Sequence, residues 1–183
     1  MTVTEAQHDL RRAYRGAGPG VMISGLVWLV AGLVTQSKGI STGFIALFLG
    51  GMLIFPMSKL VLRLLFNAPN ESADNPLGMI ALESTIAMIG GLLGAWLLLR
   101  FDPTLVFPFA AIAVGTHYFA FKSVYGDGLF WVLGGLITML GALEIFQVTS
   151  LGTMMIFAVA AVEAVFAVIL FVRAPKGNAA YAP

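Results

Sequence analysis

Long apolar stretches, each close to the length that crosses a bilayer, constrain this chain more than any other feature. A helix needs about 20 apolar residues to span about 30 Å of hydrocarbon. Six such stretches lie between the polar breaks of the sequence, at about 20–36, 40–62, 77–100, 103–121, 128–146 and 150–172. Backbone groups in lipid must satisfy their own hydrogen bonds, and these runs are too long for barrel strands, so each run is predicted as a helix.

The composition excludes most soluble classes of protein. Apolar residues make up 59% of the chain and charged residues only 10%, whereas an average soluble domain has about 25% charged residues. Ordinary cytosolic enzymes, nucleic-acid binders and disordered tails are therefore excluded. The predicted fold is an all-α, polytopic transmembrane bundle of six helices over 20–173, with cytoplasmic segments at 1–19 and 174–183.

The lysines and arginines predict the orientation in the membrane, because cytoplasmic loops carry an excess of them. If the N-terminus is inside, eight of the ten basic residues fall on the inner side and two on the outer side. The inner ones would be Arg11, Arg12, Arg15, Lys59, Arg63, Lys122, Arg173 and Lys176, and the outer ones Lys38 and Arg100. Both termini are therefore expected in the cytoplasm.

The sequence lacks the residues that several kinds of metal site and catalytic site require. The sequence has no cysteine and only two histidines, His8 and His117, which excludes disulfides, thiolate metal sites and a three-histidine site within one chain. It contains no zinc-protease, serine-hydrolase or phosphate-loop motif. We therefore expect no metal, no cofactor and no nucleic-acid partner, and enzymatic activity is the less favoured reading.

Three glutamates inside predicted spans are the residues that least suit lipid: Glu83, Glu144 and Glu163. A charge at the centre of a bilayer costs about 2.5–3.5 kcal/mol on insertion scales, so each must be protonated, paired or facing water. Glu163 lies ten residues before Arg173, which is about 15 Å of helix rise and close to the midplane. Small residues surround it on its helix, which predicts a packed face. Glu144 lies near the outer end, where water can reach it.

A second polar group is predicted at the cytoplasmic side of the bundle. Glu83 in the third span, His117 and Tyr118 in the fourth, and Lys59 in the second should lie at similar depth. If short connections make these helices neighbours, the four side chains could converge. A proton or ligand site and a buried pair that only fixes helix packing both remain open for Glu83 and His117. For Tyr118 and Lys59, an interfacial role is the simpler alternative.

Three short motifs resemble those of a bacterial family of small six-helix membrane proteins. They are Phe55-Pro-Met-Ser-Lys59, Asn75-Pro-Leu-Gly78 at the entrance to the third span, and Gly115-Thr-His-Tyr118 in the fourth. The resemblance covers most of the chain, from the first helix to the sixth. It implies an inner-membrane location and six helices, and it implies no activity.

Two functions of different classes fit these features. In the first, the protein is a small proton- or cation-linked transporter or channel-like protein, in which Glu83, His117 and Glu163 bind a proton, an ion or a small polar solute. In the second, it is a non-transporting membrane subunit or scaffold that binds lipid or another membrane protein. A membrane enzyme acting on lipid is a third, less favoured reading. The expected partner is the bilayer, and a homo-oligomer is compatible with so small a bundle.

Overall fold

The computed structural model describes residues 1–174, and regular structure in that part of the chain is entirely helical. Seven α-helices follow one another: α1 Val3–Ala13, α2 Gly18–Lys38, α3 Ile40–Phe66, α4 Leu77–Leu98, α5 Val106–Tyr125, α6 Leu129–Ile145 and α7 Met154–Arg173. Short 3-10 turns at Arg15–Ala17 and Pro103–Leu105 lead into α2 and α5. The predicted all-α class is confirmed. The predicted tail at 174–183 lies outside the described residues except for Ala174.

Five of these helices are long and apolar enough to cross a membrane, namely α2, α3, α4, α5 and α7. The sixth apolar helix, α6, has 17 residues, which corresponds to about 25 Å of rise. The chain therefore has the structure of a multi-pass membrane protein. The count of six spans and the orientation of the termini stay predictions.

The six apolar helices pack as two groups of three. In the α2 group, α2 packs against both α3 and α7, and in the α5 group, α5 packs against both α4 and α6. Narrower contacts join the groups, mainly between α6 and α7. Aromatic rings add to them, since Phe107 of α5 lies 6.3 Å from Trp28 and 6.2 Å from Phe44 between ring centroids. We call this boundary the seam.

Glycines allow α2 and α7 to cross closely within the α2 group. A methyl group added at Gly25 would lie 3.2 Å from the carbonyl oxygen of Ala160 and 3.3 Å from Cβ of Glu163. At Gly32 it would lie 2.8 Å from the ring of Phe157. Small residues let helix backbones approach in lipid, where no hydrophobic force draws helices together. The close crossing brings Glu163 directly against α2.

Close packing at glycines also brings α5 against α6. A Cβ at Gly134 would lie 2.6 Å from the carbonyl oxygen of Gly115, and a Cβ at Gly141 would collide with the carbonyl oxygen of Pro108. Gly135, one residue further along α6, faces open space. The α5–α6 interface is therefore a contact between backbones, with no room for a side chain at these points.

The N-terminal segment, expected only as a cytoplasmic segment, folds as helix α1 and packs on the bundle. Thr2 and Glu5 form a reciprocal capping box at its start, with bonds of 2.6 and 3.3 Å, a pattern that fixes helix N-termini. Its apolar side is buried through Ala6, Leu10 and Ala13. The structure therefore adds to the expected architecture a short amphipathic helix at the end of the bundle where α2 begins.

Gly134→Ala should destabilise the protein by about 1–3 kcal/mol, because the new methyl group would be forced against a backbone carbonyl that cannot rotate away. Gly135→Ala is the matched control and should leave the stability unchanged or slightly higher, since alanine favours helix more than glycine does. Unfolding of the purified protein in mixed micelles, titrated with a denaturing detergent, measures both. Equal stability of the two variants would contradict the described contact between α5 and α6.

Candidate functional site

The carboxyl group of Glu163 is the most deeply buried polar group in the bundle. The residue is 0% exposed and lies near the middle of α7, nine residues after Met154 and ten before Arg173. Its Oε1 accepts hydrogen bonds from the hydroxyl of Ser24 at 3.0 Å and from the hydroxyl of Tyr118 at 2.7 Å. Ser24 lies on α2 and Tyr118 on α5, so the bonds gather three helices around one oxygen atom.

The second oxygen of the same carboxyl group has no partner. Oε2 of Glu163 is buried and makes no hydrogen bond to any described residue. An unsatisfied buried polar group costs about 1–3 kcal/mol, and more when it is charged. Native structures satisfy most buried polar atoms, so one left open at this depth needs an explanation.

The bond from Tyr118 is the polar contact that crosses the seam at Glu163. Ser24 and Glu163 belong to the α2 group, whereas Tyr118 belongs to the α5 group. Tyr118 is itself 4% exposed, and its ring packs among the rings of His117, Phe121 and Phe130. The phenol is thus fixed on its own group while its hydroxyl reaches the other one.

His117 lies beside this site and bonds to a different helix. Its Nδ1 is 2.7 Å from Oγ of Ser84 on α4, and the same Oγ is 3.2 Å from the backbone carbonyl oxygen of His117. Both contacts are hydrogen bonds when Nδ1 carries a hydrogen: the ring N–H donates to Oγ, and the hydroxyl donates to the carbonyl. In a neutral ring, Nε2 then remains as an acceptor.

Glu83 does not join His117 as the sequence predicts. Its side chain is exposed on α4 and makes no hydrogen bond or ion pair with the described residues, whereas Ser84 faces α5 and bonds His117. Successive residues of an α-helix differ by about 100° in direction, so turning Ser84 inward turns Glu83 outward. The buried pair of Glu83 and His117 that the sequence left open is therefore not observed.

Lys59 forms a separate cluster at the end of the bundle that carries α1. Its Nζ lies 4.3 Å from the ring centroid of Tyr14 and 3.8 Å from Oε1 of Glu71. The hydroxyl of Tyr14 donates to the same carboxylate oxygen at 2.9 Å. Burial and the adjacent Glu71 raise the pKa of Tyr14, so its phenol stays protonated and donates. The predicted meeting of Lys59 with Glu83 and His117 does not occur.

Asp9 of α1 holds the loop between α3 and α4. Its carboxylate accepts from Arg12 at 2.8 Å, from the backbone N–H of Ser72 at 2.8 Å and from Nδ2 of Asn75 at 3.0 Å. On the other side of α1, Nε2 of Gln7 donates to the carbonyl oxygen of Ser123, at the end of α5. Helix α1 therefore links the loop between α3 and α4 to the end of α5.

Glu144 is a capping residue at the opposite end of the bundle. Its carboxylate accepts from the hydroxyl of Thr149 at 2.8 Å and from the backbone N–H groups of Leu151 and Gly152 at 3.1 and 2.6 Å. These bonds fix the loop before α7. Glu144 thus lies near a helix end, as the sequence indicated, and the access of water to it stays a prediction.

Of the five residues proposed from the sequence, the structure joins only Glu163 and Tyr118 by a hydrogen bond. His117 packs against the ring of Tyr118 but bonds to Ser84. Sequence reasoning missed Ser24 and Ser84, and it missed Tyr14 and Glu71 as the partners of Lys59. Serine at a packed helix face is a weak signal, because serine also bonds to its own backbone there. Its neighbour Gly25 was the available signal, since glycine marks where α7 comes close.

Metal binding finds no support in the side chains. Within residues 1–174, no three side chains among histidine, aspartate and glutamate gather closely enough to hold an ion. The expectation of no metal and no cofactor stays a prediction.

The fold and the buried carboxyl define a helical, multi-pass membrane protein with a polar centre between two helix groups. The sequence profile of a family of unknown function, DUF7010, matches residues 3–173. The chain therefore belongs to this family, and the resemblance to an uncharacterised family is confirmed. No curated protein and no solved structure shows significant similarity to the chain.

The docking of α1 should weaken in acid. Burial alone would raise the pKa of Asp9, but the hydrogen bonds from Arg12, Asn75 and Ser72 outweigh it and lower that pKa below its ordinary value. A carboxylate with a lowered pKa stabilises the fold fully above its unfolded-state pKa of about 3.9, and this contribution is lost as pH falls through the folded-state value.

Hydrogen–deuterium exchange of amides 3–13, corrected for intrinsic rates, should therefore speed up as pH falls below about 4. Asp9→Asn should exchange faster at neutral pH and respond less to acid, because it cannot lose the charge. Asp74→Asn, at an exposed loop position, is the control and should behave as the unaltered protein does. Acid-independent exchange in the unaltered protein would refute the role given to Asp9.

Proposed function

We propose that this protein is a small proton- or cation-linked transporter or channel-like protein of the bacterial inner membrane, with Glu163 as its ionisable centre. The observation that carries the proposal is the buried carboxyl group with one oxygen bound by Ser24 and Tyr118 and the other unpartnered. Ionisable residues inside membrane spans are costly, and they commonly mark ion and proton pathways.

If Glu163 had a purely structural role, a side chain with a lower free-energy cost of burial would serve as well. A hydroxyl or amide side chain at this position could join α2, α5 and α7 with hydrogen bonds and without an ionisable group. The glutamate instead leaves Oε2 without a partner in a fully enclosed position. Such a group is of use where the residue gains and loses a proton or binds an ion during a functional cycle.

The division into two helix groups supports the same proposal. Carriers commonly move one helix bundle against another around a site at the membrane midplane. Glu163 lies at about mid-length of α7, and its bond to Tyr118 links the two groups. His117 lies next to Tyr118, with 5.8 Å between the ring centroids, which keeps a second titratable group near the centre.

The orientation with both termini in the cytoplasm belongs to the proposal as well. The end of the bundle that carries α1 also carries Lys59, Arg63, Lys122 and Arg173. The opposite end carries Lys38 and Arg100. This distribution supports an inner-side location for α1 under the positive-inside rule.

A non-transporting subunit is the second candidate, and one observation favours it. On α4, the exposed face contains Glu83, Ala87 and Gly90, and a side chain at Gly90 would meet nothing within 4 Å. Small residues next to a polar one are typical of helix–helix contacts in membranes. A partner helix or a lipid headgroup at this face would then account for the exposed carboxylate.

Flux in reconstituted liposomes distinguishes the two candidates. Liposomes that enclose a pH-sensitive dye are given a pH gradient, and in a parallel series Na⁺ or K⁺ gradients. We expect a protein-dependent proton or cation flux that Glu163→Gln abolishes, because the amide can neither release a proton nor neutralise a cation. Tyr118→Phe should reduce the flux.

Asp74→Asn is the matched control, since it makes the same change from acid to amide at an exposed loop position, and it should conduct as the unaltered protein does. An undiminished flux in Glu163→Gln would remove Glu163 from the proposal. No flux above that of empty liposomes under any of the gradients would favour the non-transporting subunit.

A further inference from the structure

The two oxygens of Glu163 differ in their hydrogen bonding, and this difference indicates the protonation state of the carboxyl group. We propose that the structure is the closed, protonated form of Glu163, and that release of this single proton opens the seam to water, with no metal cation involved. This inference rests on the proposed function, because it names the ion bound at the same site and what binding does.

The hydrogen-bond pattern is that of a neutral carboxylic acid. Its carbonyl oxygen has two lone pairs, and Oε1 accepts two hydrogen bonds, of 3.0 Å from Ser24 and 2.7 Å from Tyr118. These lengths are ordinary for neutral O–H···O bonds. Oε2 has no hydrogen-bond partner of either kind. A proton there leaves a neutral O–H without an acceptor, which costs less than an ionised oxygen without a donor.

The ionised form does not suit the same enclosure. A carboxylate spreads its charge over both oxygens, and each then requires donors. The polar groups that face Glu163 are Ser24 from α2 and Tyr118 from α5, and both already serve Oε1. No charged side chain forms an ion pair with it in the part of the chain that the structure describes. His117 on α5 bonds toward α4 instead.

Deprotonation therefore requires a new donor at Oε2, and water is the donor that can be supplied. When the Oε2–H bond breaks, the carboxylate keeps the electron pair and the proton passes to an entering water molecule. Water needs access, and Tyr118 is the one hydrogen-bonding partner of Glu163 that belongs to the α5 group. Separation of the two groups at Tyr118 is thus the expected consequence of ionisation.

A metal cation fits this position less well than a proton does. Metal cations bound through oxygen are typically held by six or more ligands, and this position offers four oxygens, two of them engaged as donors. The helices leave little space, since a Cβ at Gly25 would lie 3.3 Å from Cβ of Glu163. A proton requires neither additional ligands nor a cavity.

Infrared spectroscopy and hydrogen exchange test this on the full-length protein in lipid. The carbonyl band of a protonated carboxylic acid is followed as pH rises, and amide exchange in α2, α5 and α7 is measured in parallel. We expect a band that is absent in Glu163→Gln and that fades with rising pH. Over the same pH range, amide exchange along the seam, corrected for intrinsic rates, should increase. Glu83 is the other carboxyl group within a predicted span that has no described partner. The Glu83→Gln variant identifies any band that arises from Glu83, so that it is not confused with the band of Glu163.

Three comparisons make the outcome decisive. Glu163→Gln should stay closed at every pH, because the amide keeps an acceptor oxygen for Ser24 and Tyr118 and has no charge to expose. Tyr118→Phe should open at lower pH than the unaltered protein. Replacing choline chloride by NaCl or KCl at constant pH should change neither the band nor the exchange.

Other results would overturn the inference. Loss of the acid band when Na⁺ or K⁺ is added at constant pH would identify a cation site. If the band faded without an increase in exchange, ionisation would not open the seam. If no Glu163 acid band appeared at any pH, the protonated state would be refuted. None of these readouts depends on flux, so a protein that titrates and opens without conducting would contradict the proposed function and leave this inference standing.

Discussion

The enclosure of one carboxyl group between three helices is the constraint on which the rest of the structure depends. Lipid does not solvate a carboxylate, so Glu163 requires partners from its neighbours or must carry a proton. Ser24 and Tyr118 supply hydrogen bonds to one oxygen. Ser24 lies on α2 and Tyr118 on α5. The carboxyl group of Glu163, which is the hardest group to bury, therefore also fixes how α2, α5 and α7 pack together.

Close packing of glycines and polar bonding at Glu163 are parts of one arrangement. Gly25 allows the backbone of α2 to approach α7, and this approach brings Ser24 within reach of the carboxyl group. On the other side, close contact of α5 with α6 supports the helix that carries Tyr118. Loss of either contact would move a donor away from Oε1, which makes the polar site sensitive to packing far from it.

Much of the fold follows from the sequence, because long apolar runs can only be helices in lipid. The packed surroundings of Glu163 also follow, since small neighbours at helical spacing indicate a close helix. The direction of Glu83 does not, because Glu83 and Ser84 are adjacent and only the neighbouring helix decides which one turns inward. The docking of α1 depends on bonds to Ser72 and Asn75, more than sixty residues away, and such contacts leave no local pattern.

The central claim, that the carboxyl group of Glu163 bonds the phenol of Tyr118 inside the bilayer, has a direct test. Solid-state NMR of the protein in lipid, with ¹³C in glutamate carboxyl groups and tyrosine rings, reports such proximity as a cross-peak. The account predicts a cross-peak between Cδ of Glu163 and Cζ of Tyr118 that disappears in Tyr118→Phe. A Glu163 carboxyl signal that correlates with acyl chains or bulk water, and with no tyrosine, would contradict it.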